Sequence, residues 1–363
     1  MQLFNRRLFV LESGKYYTRG LLIKLVRKQA KILKTFTKSY IEDEFFGEKQ
    51  IDAIKQTVEV IKPDIEDFVI YNYPYQEMIF STAEMPKLSD EQLRNAVKFK
   101  ISEDFHVPPS KLIVDITRPS NYIKTDKGTS KIPIFATKQE FMDKIISFYK
   151  GLAGAPEPDI VMPDQLKYLE LFEEQFLKSE IPGQSKLTYM ICQDMNYSVL
   201  FTFMANKIID ISEISISLED VINECRQKDI QPQKVLNAIL KGSEIGSLEY
   251  TESIQEIFSN YYERYTFEAE KAIRGTINHL NIDNALTRIE AVVVGSINSR
   301  LSLDLAYQIR EEGILRGANV IQMPLKKDYP ADAEDMRTIM GLAYRGVREL
   351  GKYKFIQKEE IKA

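Results

Sequence analysis

Hydrophobic and polar positions divide the chain into strand-like and helix-like stretches, and the same order of stretches occurs twice. Arg7-Leu8-Phe9-Val10-Leu11 is a β-rich run that stops at the turn residues Glu12-Ser13-Gly14. Apolar stretches at 17–26 and 30–37 follow, so the opening predicts a three-stranded meander. From Lys49 the period lengthens: Ile51, Ile54, Val58 and Ile61 recur at steps of three and four, a helix closed by Pro63. Phe68-Val69-Ile70-Tyr71 and Met78-Ile79-Phe80 predict two more strands. Ser89, with Gln92 three residues on, forms the capping-box signature of a helix through Leu93, Val97 and Ile101 that stops before Pro108-Pro109. Strands at 112–116 and 132–136, a polar tip at 124–128 and a helix at 138–150 complete an α-β-β-α insertion, finished by a strand at Ile160-Val161-Met162.

A helix at 164–177 leads to Ile181-Pro182-Gly183-Gln184-Ser185, the clearest linker signal in the chain. The strand pattern then restarts at 187–192, turns at Gln193-Asp194-Met195-Asn196, and continues at 197–204 and 208–216. Helices fill 217–282, the most regular at 254–279, where Tyr261 and Tyr265 stand at core spacing. Ala291-Val292-Val293-Val294 is a short buried strand ending at Gly295-Ser296; a helix through Leu301, Leu305 and Ile309 and a strand at 319–323 follow. The last helix, at 332–350, contains Gly341 and Gly346. Each half thus opens with a meander broken at an acidic turn. This repeat of architecture predicts two α/β lobes, at 1–183 and 186–363, with the insertion at about 84–160 and a cleft between the lobes.

Composition narrows the chemistry. With 49 basic and 53 acidic residues the net charge is −4, which gives no nucleic-acid signature. Two distant cysteines, Cys192 and Cys225, and two isolated histidines, His106 and His279, argue against a disulfide framework, a zinc site or a histidine triad. His106 reads as packing or a helix end. The opening lacks a secretory signal, and no apolar run approaches the roughly 20 residues that span a bilayer. The basic run from Lys24 to Lys31 reads as a solvated hairpin edge, or as a contact with anionic lipid.

The order of elements resembles the actin-like ATPase superfamily (ribonuclease H-like lobes), and within it the FtsA-like PilM family of type IV pilus assembly. The local resemblance is carried by Ala83-Glu84-Met85-Pro86-Lys87-Leu88-Ser89-Asp90-Glu91-Gln92-Leu93, by the following helix to Phe105-His106-Val107-Pro108, by Leu112-Ile113-Val114-Asp115, and by Met340-Gly341-Leu342-Ala343-Tyr344-Arg345-Gly346. It implies a two-lobed actin-like fold with an inserted FtsA/PilM-type subdomain. It also implies three nucleotide loops, which here are Leu11-Glu12-Ser13-Gly14-Lys15-Tyr16-Tyr17, Gln193-Asp194-Met195-Asn196 and Val294-Gly295-Ser296-Ile297-Asn298. All three depart from the family's glycine-rich pattern, and side chains in such loops obstruct the close backbone approach a phosphate needs.

The nucleotide-binding candidates are therefore Glu12, Ser13, Gly14, Asp194, Gly295 and Ser296, for ATP, with Asp194 holding magnesium through a bound water. Glu12 and Asp194 are remnants of magnesium-coordinating carboxylates or ordinary turn acids, and Lys15 a phosphate counter-ion or a solvated turn lysine. The resemblance further implies a non-catalytic cytoplasmic scaffold, peripheral at the inner membrane through its partners. Its groove would hold the cytoplasmic N-terminal segment of a PilN-like bitopic membrane protein. Candidates for that groove are Phe68, Tyr71, Ile79, Met85 and Leu93. Other pilus-machine components and a homo-oligomeric ring complete the expected partners. Two alternatives remain open at this point: an ATP-binding or ATP-hydrolysing enzyme of the same superfamily, and the cytoplasmic part of a GspL-like type II secretion component. The latter family continues into a membrane helix, and this chain ends without one.

Overall fold

The computed structural model describes residues 6–26, 29–116, 122–124, 128–152, 154–175, 187–242, 248, 251–280, 289–311, 315, 319–323, 336–351 and 354–355. The opening alternation produces β1 (Arg6–Ser13), β2 (Tyr17–Val26) and β3 (Gln29–Ser39), antiparallel neighbours in that order. After α1 (Glu48–Ile61), β4 (Phe68–Tyr73) pairs parallel with β1. The second half repeats the plan: β10 (Leu187–Gln193), β11 (Ser198–Met204) and β12 (Lys207–Ile214) form a meander. Then β13 (Ile289–Ser296) joins β10 in parallel, and β14 (Val320–Gln322) joins β13.

Between the lobes' shared elements lies the insertion, with β5 (Ile79–Met85), α2 (Asp90–Phe105), β6 (Leu112–Ile116), β7 (Ile123–Lys124) and β8 (Ser130–Lys138). Its sheet runs β5-β8-β6, with β7 beside β8, and α2 covers one face through Leu93, Val97 and Ile101. The Ser89–Gln92 capping box starts α2, and His106 ends it in the left-handed region, its amide donating to the Ser102 carbonyl.

The sheets divide the chain differently from the sequence boundaries. The insertion closes at β8: α3 (Gln139–Lys150) packs Ile145 and Tyr149 against the first lobe, and β9 (Ile160–Pro163) pairs with β4. The last helix does not stay with the second lobe either. α9 (Arg337–Leu350) lies against β1, β2 and β4, and β15 (Lys354–Phe355) pairs with β3. The first sheet is therefore six-stranded, β15-β3-β2-β1-β4-β9, and the second five-stranded, β12-β11-β10-β13-β14. The linker at 181–185 and the tip at 125–127 fall outside the described residues.

Side-chain alternation then fixes the layers. Odd positions of β1 (Phe9, Leu11) face α1 and α3, whereas Leu8 and Val10 face α9 and α4 (Leu166–Gln175). The far side of α4 and α9 meets the second sheet through Met190, Phe201 and Val293. That sheet's other face is covered by α5 (Leu218–Gln227), α6 (Pro232–Lys241), α7 (Thr251–Leu280) and α8 (Ser299–Glu311), with Tyr261 and Tyr265 buried there. Two helices thus occupy the layer between the sheets. Among the described residues no helix is long and apolar enough to cross a membrane.

Candidate functional site

The acidic turns of the two lobes meet, because β1 and β10 occupy equivalent places in their sheets and end at the same cleft. Glu12 and Asp194 are both buried there, and Asp164, just after β9, joins them. At their centre stands the ammonium of Lys167, on the first turn of α4 and wholly inaccessible. Its Nζ lies 2.7 Å from Glu12 Oε1, 2.9 Å from Asp164 Oδ2 and 2.9 Å from Asp194 Oδ2.

A second layer of donors completes the knot. Tyr17 donates to Glu12 (2.9 Å), Tyr168 to Asp194 Oδ2 (2.7 Å), and Thr338 to Glu12 Oε2 (2.8 Å). Arg19, also fully buried, donates to Thr338 (2.6 Å) and lies 3.7 Å from Glu12 Oε2. Three carboxylates face two cations, so the knot carries one negative charge in excess when all are ionised.

That excess is visible in the proton affinities. Burial alone would raise the Glu12 carboxyl, but Lys167 and Arg19 outweigh it and hold it below its ordinary value. Burial likewise opposes the Lys167 charge, and the three carboxylates reverse this, holding its pKa well above the usual lysine value. Asp164 is the group that yields: burial, with Asp194 and Glu12 nearby, lifts it to about 6 against the pull of Lys167. A carboxyl whose folded pKa exceeds its unfolded value contributes stability at low pH, and that contribution is lost as pH rises through the folded pKa. The contribution of Asp164 to stability is therefore expected to be lost between about pH 4 and 6, and Asp164→Asn to flatten that window in denaturant melts. An equally steep decline in the variant would assign the slope to another group.

The geometry also tests whether the site suits magnesium and a nucleotide. A phosphate cradle needs unengaged backbone N–H groups. Here the Ser13 amide donates to Asn72 Oδ1 (2.7 Å), the Gly14 amide to the Tyr17 carbonyl, and the Asp194 amide to the Tyr197 carbonyl. The Met195 amide donates to Asp194 Oδ1 (2.7 Å). Gly295 and Ser296 are enclosed too: a Cβ on Gly295 would meet Met323 and Tyr168, and Ser296 donates to Gln193 Oε1 (2.6 Å). Lys15 is not a free turn lysine, since it and Tyr16 both donate to Glu219 Oε1 of the second lobe at 2.7 Å. The carboxylates that would hold a metal are already matched to an ammonium, so these residues do not fit a magnesium nucleotide. No group of three or more His, Cys, Asp or Glu side chains among the described residues suits a metal ion.

A second feature lies beside the central helices. A groove of about 370 Å³ opens between the insertion and the first lobe, with β6 along one wall and β9 along the other. Both are the outermost strands of their sheets among the described residues. Ile113, Met142, Leu166 and Leu169 supply apolar surface, and Glu170, Glu173, Arg345 and Arg348 supply charge at one side. Arg348 pairs with Glu173 (3.0 Å) and with Glu170.

The residues singled out from the sequence for a groove stand elsewhere. Tyr71, Met85 and Leu93 are spent on hydrophobic cores, Ile79 packs on the insertion core, and Phe68 faces the core between the sheets. From the elements that carry those candidates, Tyr73 of β4 and Arg94 of α2 do line the groove. The strand-end acids are legible in the sequence, but Lys167 is not among the candidates it offers. Its signal was its place on the same helical face as Tyr168, Leu171 and Phe172, where a lysine must find a partner when buried.

No family model matches the chain, and no curated protein matches it by sequence. Among solved structures, a chain of a PilM–PilN type IV pilus biogenesis complex is similar, with a TM-score of 0.64 at 13% identity, covering 95% of this chain and 99% of that one. The ethanolamine utilization protein EutJ from Carboxydothermus hydrogenoformans gives a TM-score of 0.46 at 9% identity, covering 93% and 89%. An archaeal actin homolog in complex with ADP gives 0.44 at 10% identity, covering 95% and 100%. The repeated strand order, the helices between the sheets and the full-length similarity agree: this chain has the two-lobed actin-like fold and is PilM-like in architecture.

Proposed function

We propose that the chain is a non-catalytic adaptor of a type IV pilus-type assembly, on the cytoplasmic face of the inner membrane, that holds the cytoplasmic N-terminal segment of a PilN-like membrane protein. The observation that carries this reading is the groove between β6 and β9. An edge strand offers a row of backbone donors and acceptors, so an extended segment gains main-chain hydrogen bonds while its alternate side chains fill the apolar lining. The fold similarity to a PilM–PilN complex supports the same reading. The engaged amides and the Lys167 knot support a cleft that serves architecture and uses neither ATP nor magnesium.

The test is calorimetric titration with a synthetic N-terminal peptide of the PilN-like protein, and separately with Mg-ATP. Saturable peptide binding is expected, with affinity falling at least about tenfold in Ile113→Asp, since that side chain is 37% exposed on the β6 wall. No saturable heat is expected from ATP. Steady phosphate release abolished by Asp194→Ala would instead put the enzymatic reading first.

A further inference from the structure

We propose that the cleft knot and the peptide groove are coupled through α4 and α9, so that occupancy of the groove tightens the closure of the lobes and loosening of the knot weakens the groove. This rests on the adaptor reading for the identity of the groove's occupant, and on the geometry alone for the coupling.

Each of the two helices bears on both features. On α4, Lys167 and Tyr168 bind Asp194 of the second lobe, while Leu169, Glu170 and Glu173 face the groove. On α9, Thr338 binds Glu12 in the knot, and Arg345 and Arg348, about two and three turns further along, face the groove. The pair is joined at three levels. Thr338 and Lys167 share Glu12 at the cleft end; Gly341 lies directly against the Lys167 backbone in the middle; Arg345 and Arg348 pair with Glu170 at the groove end.

The middle contact leaves the helices no room to slide toward each other, and both are enclosed between two sheets, where packing transmits displacement. A segment that holds α4 and α9 together at the groove therefore favours the arrangement in which Lys167 and Tyr168 reach Asp194. The element with two arrangements is the cleft itself, closed with the knot formed or parted with it broken. Coupling of this kind is reciprocal in binding free energy.

The experiment is amide hydrogen exchange on the whole chain, with and without the same synthetic PilN-like peptide. Met195 and Leu218 lie across the cleft, their amides bonded to Asp194, and neither lines the groove. Their exchange is expected to slow about fivefold or more when the peptide saturates the groove. Tyr168→Phe removes one tie across the cleft and is expected to weaken peptide binding by a similar factor.

Peptide that binds while Met195 and Leu218 exchange at their free rates, with Tyr168→Phe binding as wild type, would overturn the coupling. Failure of the peptide to bind wild type would overturn the adaptor reading instead. The coupling is then decided without peptide: faster exchange at Ile160, Val161 and 345–348 in Tyr168→Phe supports it, and unchanged rates sink it.

Discussion

Lys167→Ala is expected to lower the free energy of unfolding by about 3–5 kcal/mol at pH 7, measured by urea denaturation. The reason is what the substitution leaves behind. Glu12, Asp164 and Asp194 would face one another in a water-excluded site with only Arg19 nearby, and uncompensated buried charge is far more costly than the pair it came from is stabilising. The charge-balanced double variant Lys167→Met with Asp194→Asn should recover a substantial part of the loss, because it removes a charge of each sign and keeps the volume. A loss below about 1 kcal/mol in the single variant would mean that the ammonium contributes no more than an exposed ion pair.

Gly341→Ala should also be strongly destabilising, by about 1–3 kcal/mol or more. A Cβ there would stand 2.8 Å from Lys167 Cα and 2.7 Å from its carbonyl carbon, both backbone atoms that cannot rotate away. In an exposed helix the same change would stabilise by about 1 kcal/mol, so even the sign distinguishes the close helix contact from a tolerated glycine. Gly346→Ala is the control. Its Cβ meets the methyl ends of Ile70 and Leu8, which can shift, and its loss in thermal or urea melts should be smaller. Equal losses would show that α4 and α9 separate more easily than their contact suggests.

The local elements were readable because they obey local rules. Alternation marked both meanders, and the Ser89–Gln92 pair marked the start of α2. What the pattern could not supply was destination. α9 reads as an amphipathic helix following the second lobe, and nothing within it says that its apolar face is buried against β1, more than 300 positions away. Site residues divide the same way. Glu12 and Asp194 are acids at strand ends, a recognisable placement, whereas their counter-ion came from a helix whose other face is charged. For the groove, Tyr71 and Leu93 looked like candidate surface because an apolar side chain in a strand or helix carries no mark separating a core from a binding wall. The charged residues Arg345 and Arg348, which do reach the groove, look like an ordinary solvated helix face.

The return of α9 to the first lobe sets an order of events during synthesis. The first sheet cannot cover its inner face when β9 leaves the ribosome, because Ile339, Leu342 and Val347 belong to that core and have not yet been made. At about 5–20 residues per second, the interval between β9 and α9 is roughly 10–35 s. Throughout it the nascent chain has only α4 to cover the sheet face bearing Leu8, Val10, Leu21 and Ile70, and the place of α9 stays open. Chaperone occupancy of the emerging chain should therefore rise after β4 and fall only once α9 has cleared the exit tunnel.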